Sequence, residues 1–159
     1  MNFGSIDLKY SIIVNILQIS LSIVAYLLRK IGVYSNVYIQ VALLIINIGV
    51  WFAVSSSSVV AKNENNVEGG VFFGIIATSP ILFLIFAATL LDRYAQSISG
   101  WGLYSIVGAA INFWHRPLIL VSKITSGNGY IIYLINVTLL IFVCILSYSY
   151  GSRLNSPIE

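Results

Sequence analysis

The sequence predicts an all-α polytopic transmembrane helix bundle of four or five spans, and its composition and its apolar runs are the basis of that prediction. Of the 159 residues, 58% are hydrophobic and only 8% are charged, whereas about 25% are charged in ordinary soluble domains. Four apolar runs, over residues 10–28, 37–60, 71–91 and 130–150, contain no Asp, Glu, Lys, Arg or His. Each is about long enough, at roughly 1.5 Å per residue, to cross a hydrocarbon core of about 30 Å. A helix that is apolar on every side has no face for water, so we predict one membrane domain over residues 1–159.

The predicted spans are bounded by charged or glycine-rich segments. Arg29 and Lys30 follow the first span, and the segment before that span lacks the basic region of a cleavable signal, so we expect the span to be retained. A polar loop precedes the third span, which ends before Asp92 and Arg93, and a loop rich in Gly, Ser and Asn precedes the last span. The predicted spans are about 10–28, 37–60, 70–91 and 130–150, with loops over 61–69 and 125–129.

Residues 94–124 leave two alternatives open. Their apolar part, Gly100–Phe113, has only fourteen residues, which favours a re-entrant or interfacial segment. Extension towards the N-terminus gives a possible fifth span over about 95–114. The positive-inside rule does not decide, because five spans place four basic residues on each side and four spans place five against three.

Polar side chains repeat along single faces of three predicted helices. An unpaired amide in lipid costs several kcal/mol, so these faces should point at protein or at a wet cavity. Hydrogen bonding between helices, at roughly 0.6–2 kcal/mol per contact, is the favoured interpretation, and a solute path is the alternative. The stripes are Ser11, Asn15, Gln18, Ser22 and Tyr26; Asn36, Gln40, Asn47, Trp51, Ser55 and Ser58; and Tyr133, Asn136, Cys144, Ser147 and Gly151.

Small residues indicate close contact between helices. Gly70 and Gly74 form a GxxxG pattern, and Gly108 and Ala109 lie in a second small-residue segment. We expect the chain to contact lipid and other membrane-protein subunits. The predicted contact residues are these four together with the polar faces of Asn15, Gln18, Gln40 and Asn47. Its basic residues are scattered, so nucleic-acid binding has no support.

The sequence offers one candidate site and little catalytic chemistry. His115 is the only histidine and Cys144 the only cysteine, so this chain alone cannot assemble a bis-histidine haem or a multi-histidine metal site. We predict no catalytic residues and no metal. Trp114, His115 and Arg116 bring an indole, an imidazole and a guanidinium together, where a haem propionate, lipid phosphate or quinone head group could bind. The alternative is an interfacial anchor formed by Trp114 and Arg116.

Several segments resemble the haem-handling membrane proteins of cytochrome c maturation (the CcmC type). The similar segments are Gly70–Phe73, Thr78–Ser79, Ile81–Phe86 and Ile106–Phe113, followed by His115 and a final span that ends near Arg153. The resemblance implies haem handling, with His115 as one of the family's two haem-ligating histidines. The loop over residues 61–69 lacks the family's tryptophan-rich motif.

Three functional hypotheses follow. The favoured one is a non-catalytic subunit of a larger complex in the cell (plasma) membrane, with a respiratory or electron-transfer complex as the leading candidate. The resemblance implies the second, a divergent haem-handling protein. The third is a small transporter or channel for a neutral solute, which would use the polar faces of the first two spans.

Overall fold

A computed structural model describes residues 3–62, 67–95, 101–124 and 129–154. Within these ranges the chain forms α-helices, two short 3-10 helices and no strand. Residues 63–66, 96–100 and 125–128, which belong to the two predicted loops and to the extension of the ambiguous segment, lie outside the described residues. The helices are α1 (Phe3–Lys30), α2 (Val37–Lys62), α3 (Val67–Ala95), α4 (Trp101–Trp114), α5 (Ile119–Ile124) and α6 (Gly129–Leu154).

Four of these helices are long and apolar enough to cross a membrane, and they contain residues 6–30, 37–62, 67–91 and 131–150. Large apolar side chains on their outer faces are exposed, among them Ile45, Phe83 and Phe86, each more than 60% exposed. Such surfaces are suited to hydrocarbon and unsuited to water. The all-α transmembrane bundle predicted from the sequence is confirmed, and the chain is a multi-pass membrane protein.

A tight turn joins α1 to α2 and defines one end of the bundle, called here the turn end. Gly32 has a φ of 82°, in the left-handed region where glycine lacks the steric penalty of a Cβ. A 3-10 helix over Val33–Ser35 follows. Asn36 then caps α2, since its Oδ1 accepts a hydrogen bond of 2.9 Å from the backbone N–H of Tyr38. Because α1 and α2 are long and the turn is short, the two helices run antiparallel.

The spans extend further than the sequence indicated. Helix α1 begins at Phe3 rather than near residue 10, and α2 continues to Lys62 rather than ending near residue 60. These extra turns bring Asp7 and Lys62 into the packed bundle, where they form a buried ion pair at the end opposite the turn. The helices therefore extend beyond the uncharged predicted spans and include charged residues at these ends.

Helices α3 and α6 pack tightly because the GxxxG pattern gives their backbones room. A Cβ added to Gly70 would lie 2.9 Å from the Cα of Ile145, and one added to Gly74 would lie 3.2 Å from the Cα of Ile141. The order of these contacts makes the two helices antiparallel. The predicted close approach at this motif is confirmed, and the helix that approaches belongs to the same chain.

Helices α4 and α5 form a hairpin that enters the bundle from the turn end and returns to it. Helix α4 is about 21 Å long, and it ends at Trp114, which lies beside Ile81 in the middle of α3. After a 3-10 helix over Arg116–Leu118, α5 leads back. Its Lys123 donates a 3.0 Å hydrogen bond to Oε1 of Gln40, near the start of α2. Among the alternatives for residues 94–124, this geometry corresponds to a re-entrant segment.

Candidate functional site at the re-entrant turn

Gln18 holds the tip of the hairpin in place. Its side chain is fully buried, and its Nε2 donates a 2.8 Å hydrogen bond to the carbonyl of Trp114. Its Oε1 accepts hydrogen bonds from Asn47 Nδ2 and from the indole N–H of Trp51, the latter at 3.0 Å. One amide thus connects α1, α2 and α4 at the centre of the bundle. The favoured interpretation of the first two polar stripes, hydrogen bonding between helices, accounts for these side chains.

Trp114 lies in the core rather than at an interface. It is 7% exposed, and its ring meets that of Trp51 edge to face at 6.1 Å between centroids. Its backbone carbonyl is taken by Gln18. Trp114 therefore positions the turn. The polar side chains that could bind a ligand belong to the next two residues, His115 and Arg116.

His115 is buried in an aromatic enclosure. It is 3% exposed and stacks on Tyr133, with 4.7 Å between ring centroids and 17° between planes. Its Nδ1 lies 3.3 Å from Nδ2 of Asn136 on α6, whereas its Nε2 is buried without a hydrogen-bonding partner among the described residues. In the tautomer in which Asn136 Nδ2 donates to Nδ1, the imidazole carries its proton on Nε2. The ring then presents a free donor.

Arg116, the next residue along the chain, carries a second buried donor group. Its guanidinium lies over the ring of Tyr26 at 4.7 Å and near that of Phe113 at 5.6 Å, contacts typical of cation–π interactions. Its backbone carbonyl accepts a 2.6 Å hydrogen bond from the Tyr34 hydroxyl, which fixes the turn to the α1–α2 connection. Its Nη1 is buried and has no hydrogen-bonding partner within the described part of the chain.

A small cavity of about 160 Å³ lies beside these two residues. Its wall is mixed, with polar groups on one part and isoleucine side chains on another. The volume is below the roughly 300–1,000 Å³ of pockets that enclose drug-sized ligands, so it admits one small ring or head group and has no room for a haem macrocycle. The lining residues are Asn112, His115, Arg116, Ile119, Ser122, Ile132 and Tyr133.

Most residues predicted to contact other subunits are engaged within this chain. Gln18, Gln40 and Asn47 are 0–1% exposed, and the two glycines of α3 pack on α6. Asn15 donates a 2.8 Å hydrogen bond to the carbonyl of Ala77 on α3. The exceptions lie on α4, where Ala109 is exposed and a Cβ at Gly108 would meet no atom within 4 Å. Contact with other subunits stays a prediction, and α4 is the predicted surface that the fold leaves open.

Sequence reasoning missed the polar cluster at the opposite end of the bundle. Lys62 pairs with the Asp7 carboxylate, which also accepts hydrogen bonds from Ser58 at 3.2 Å and from the Tyr148 hydroxyl at 3.4 Å. A signal for it was present, because Asp7 lies four residues before Ser11 and Lys62 four residues after Ser58. Both stripes therefore continue onto charged residues. Within the described part of the chain these groups hydrogen-bond to one another, so the cluster joins α1, α2 and α6.

Comparisons with known proteins do not assign a role to this site. Comparisons with protein-family models, curated proteins and solved structures give no match. The CcmC-type resemblance therefore stays a prediction.

Proposed function

We propose that this chain is a non-catalytic membrane protein that binds the head group of a lipid-soluble ligand, a quinone, at the re-entrant turn. The observation that carries the proposal is the pair of buried nitrogens, His115 Nε2 and Arg116 Nη1, which have no hydrogen-bonding partner among the described residues and belong to two residues that line one cavity. Buried donors are nearly always hydrogen-bonded in proteins, and exceptions call for an explanation. A ligand that supplies acceptor oxygens would satisfy both.

The chemistry of the cavity favours a quinone among the three head groups considered from the sequence. A quinone ring carries two carbonyl acceptors, has no formal charge and is small enough for about 160 Å³. Ile119 and Ile132 supply the apolar part of the wall. The hairpin places the site inside the bundle near its turn end, where the ring of an amphipathic molecule could enter while its chain stays in lipid.

The test is quenching of tryptophan fluorescence by a decylated benzoquinone added to the purified protein. Trp114 is a suitable reporter because its ring centroid is 4.9 Å from that of His115. A hydrogen bond contributes about 0.5–1.5 kcal/mol, so His115→Phe or Arg116→Gln should each weaken binding by about three- to tenfold. Arg29→Gln removes the same charge from a residue that does not line this cavity and should leave binding unchanged.

The outcomes separate a ligand site from a solvated cavity. A polar cavity of this size also accepts water, and protein that shows no saturable quenching would indicate that water alone satisfies the two donors. Equal quenching of the original chain and of both variants would place the quinone elsewhere. Either result would refute the proposal.

We further propose that the chain acts as a small subunit of a larger complex in the plasma membrane, with a respiratory or electron-transfer complex as the candidate. The open small-residue surface around Gly108 and Ala109 supports this, because such surfaces let helices approach closely. Mass spectrometry of chains that co-purify in mild detergent tests it. Gly108→Leu should reduce recovery of the partner, whereas Gly49→Leu, at another position with open space, should not. Recovery of the chain alone from fractionated plasma membrane would count against a complex, and a Soret band in the same sample would favour the haem alternative.

A further inference from the structure

A second cavity, of about 450 Å³, opens at the turn end on the other side of α5. It lies between the α1–α2 turn and the end of the hairpin, separate from the cavity beside His115. Arg29 and Lys123 approach it from α1 and α5, and both side chains are exposed. The residues that line it are Arg29, Gly32, Tyr34, Ser35, Gln40, Ile119 and Lys123.

Positive charge accumulates around this cavity. Burial raises the pKa of the Tyr34 hydroxyl, and the charges of Arg116 and Arg29 oppose that rise, which places both guanidinium groups within electrostatic range of the cavity wall. The acidic side chains that the structure describes, Asp7 and Glu68, lie at the opposite end. A site with two converging cations and no described counter-charge attracts an anion.

The same asymmetry orients the protein in its membrane. The hairpin returns Arg116 and Lys123 to the end that also holds Arg29 and Lys30, so four basic residues whose side chains the structure describes lie there. The opposite end has two basic residues whose side chains are described, Lys9 and Lys62, and Lys62 is paired with Asp7. Under the positive-inside rule the turn end faces the cytoplasm, whose membrane leaflet carries anionic lipids.

We propose that the cavity between Arg29 and Lys123 binds the phosphate of an anionic phospholipid of the cytoplasmic leaflet. Arg29 can bind two phosphate oxygens with its planar guanidinium, and Lys123 is held towards the cavity by its hydrogen bond to Gln40. Gln40 is in turn fixed by a 2.7 Å hydrogen bond from its Nε2 to the carbonyl of Tyr34. The Ser35 hydroxyl lies on the same wall as a further polar contact. Basic pockets at the cytoplasmic ends of spans bind anionic head groups in this manner.

The test is native mass spectrometry of the full chain released from nanodiscs that contain equal amounts of phosphatidylglycerol and phosphatidylcholine. We expect selective retention of phosphatidylglycerol, and a loss of about tenfold in that retention in Arg29→Gln/Lys123→Gln. Lys9→Gln/Lys30→Gln removes the same net charge outside the cavity and should retain the lipid. Ser35→Glu, at an exposed residue whose hydroxyl bonds only to the Gly32 carbonyl, adds a negative charge with little effect on packing and should also abolish retention.

Three results would overturn the proposal. The first is equal retention of the two lipids, and the second is the same loss in the control pair as in Arg29→Gln/Lys123→Gln. The third is binding of inorganic phosphate that is weakened by Arg29→Gln/Lys123→Gln without any preference for phosphatidylglycerol, which would assign the cavity to a soluble anion. Thermal unfolding of each variant in detergent identifies any that has lost its fold, and Ser35→Glu then provides the independent reading.

Discussion

Replacement of Gln18 by leucine should destabilise the bundle more than any other single change of an uncharged polar residue in the first span. The substitution nearly preserves volume while it removes the hydrogen bonds that join α1 to α2 and α4. Asn47 Nδ2 and the Trp51 indole N–H lose their partner, and the Trp114 carbonyl keeps only a longer, 3.4 Å hydrogen bond from the Ser22 hydroxyl. Each is buried, and the fully buried Gln18 leaves no path for water to replace it.

The expected loss follows from the number of bonds. Hydrogen bonds between membrane helices contribute about 0.6 kcal/mol on average and up to about 1.7 kcal/mol. Three of them give about 2–5 kcal/mol of unfolding free energy. Ser20→Ala on the same helix removes only a local bond to the Ile16 carbonyl from an exposed side chain, and it should change stability by less than about 0.5 kcal/mol.

The assay is unfolding in mixed micelles with increasing SDS, followed by helical circular dichroism. Asn47→Leu should cost less than Gln18→Leu, because Asn47 makes one of the three bonds and carries an Oδ1 that has no partner among the described residues. The double variant should lose less than the sum of the two single losses, because the bond between the two residues is counted once. A loss below about 0.5 kcal/mol for Gln18→Leu would refute the argument that this amide holds the three helices together.

Two further predictions concern packing and charge, and the same SDS titration measures both. Gly70→Ala should destabilise the bundle by about 1–3 kcal/mol, because its Cβ would meet the backbone of Ile145 at 2.9 Å. The control Gly49→Ala, at a position with open space, should stabilise it by about 0.5–1 kcal/mol. Equal effects of the two substitutions would show that α3 and α6 can separate freely. Lys62→Met should lower the unfolding free energy by about 3–5 kcal/mol, because it leaves the Asp7 carboxylate buried without its counter-ion. The double variant Asp7→Asn/Lys62→Met should recover most of that loss. A double variant as unstable as Lys62→Met would mean that the charge pair matters less than the shape of its residues.

The sequence was sufficient to predict the membrane spans, because hydrophobic length and the lack of charge follow from the solvent alone. The faces of the helices were also predictable, since period and polarity place Gln18 and Asn47 inward whichever helices they meet. The identity of the helix that each face contacts was not predictable. The GxxxG pattern at Gly70 predicts that another helix packs closely against α3. Its spacing does not distinguish a helix of the same chain from a helix of another subunit.

The re-entrant turn required tertiary information. A fourteen-residue apolar segment is too short to span and too apolar for water, so length left its position open. What decides its path is the hydrogen bond that Gln18, ninety-six positions earlier in the chain, donates to the Trp114 carbonyl, together with the hydrogen bond from Lys123 to Gln40. Pairings across such distances have no local signature in the sequence.

The distribution of unpaired groups distinguishes the polar clusters of this bundle. At the end opposite the turn, the Asp7 carboxylate accepts from Lys62, Ser58 and Tyr148, as expected of a group that holds helices together. Beside the hairpin, His115 Nε2, Arg116 Nη1 and the Oδ1 of the neighbouring Asn136 are buried without partners in the described structure. If these groups had a purely structural role, they would lower the stability of the fold, because burial of a polar group without a hydrogen bond is unfavourable. Because His115 and Arg116 both line one cavity, that cavity, rather than the ion pair, is where we expect a ligand.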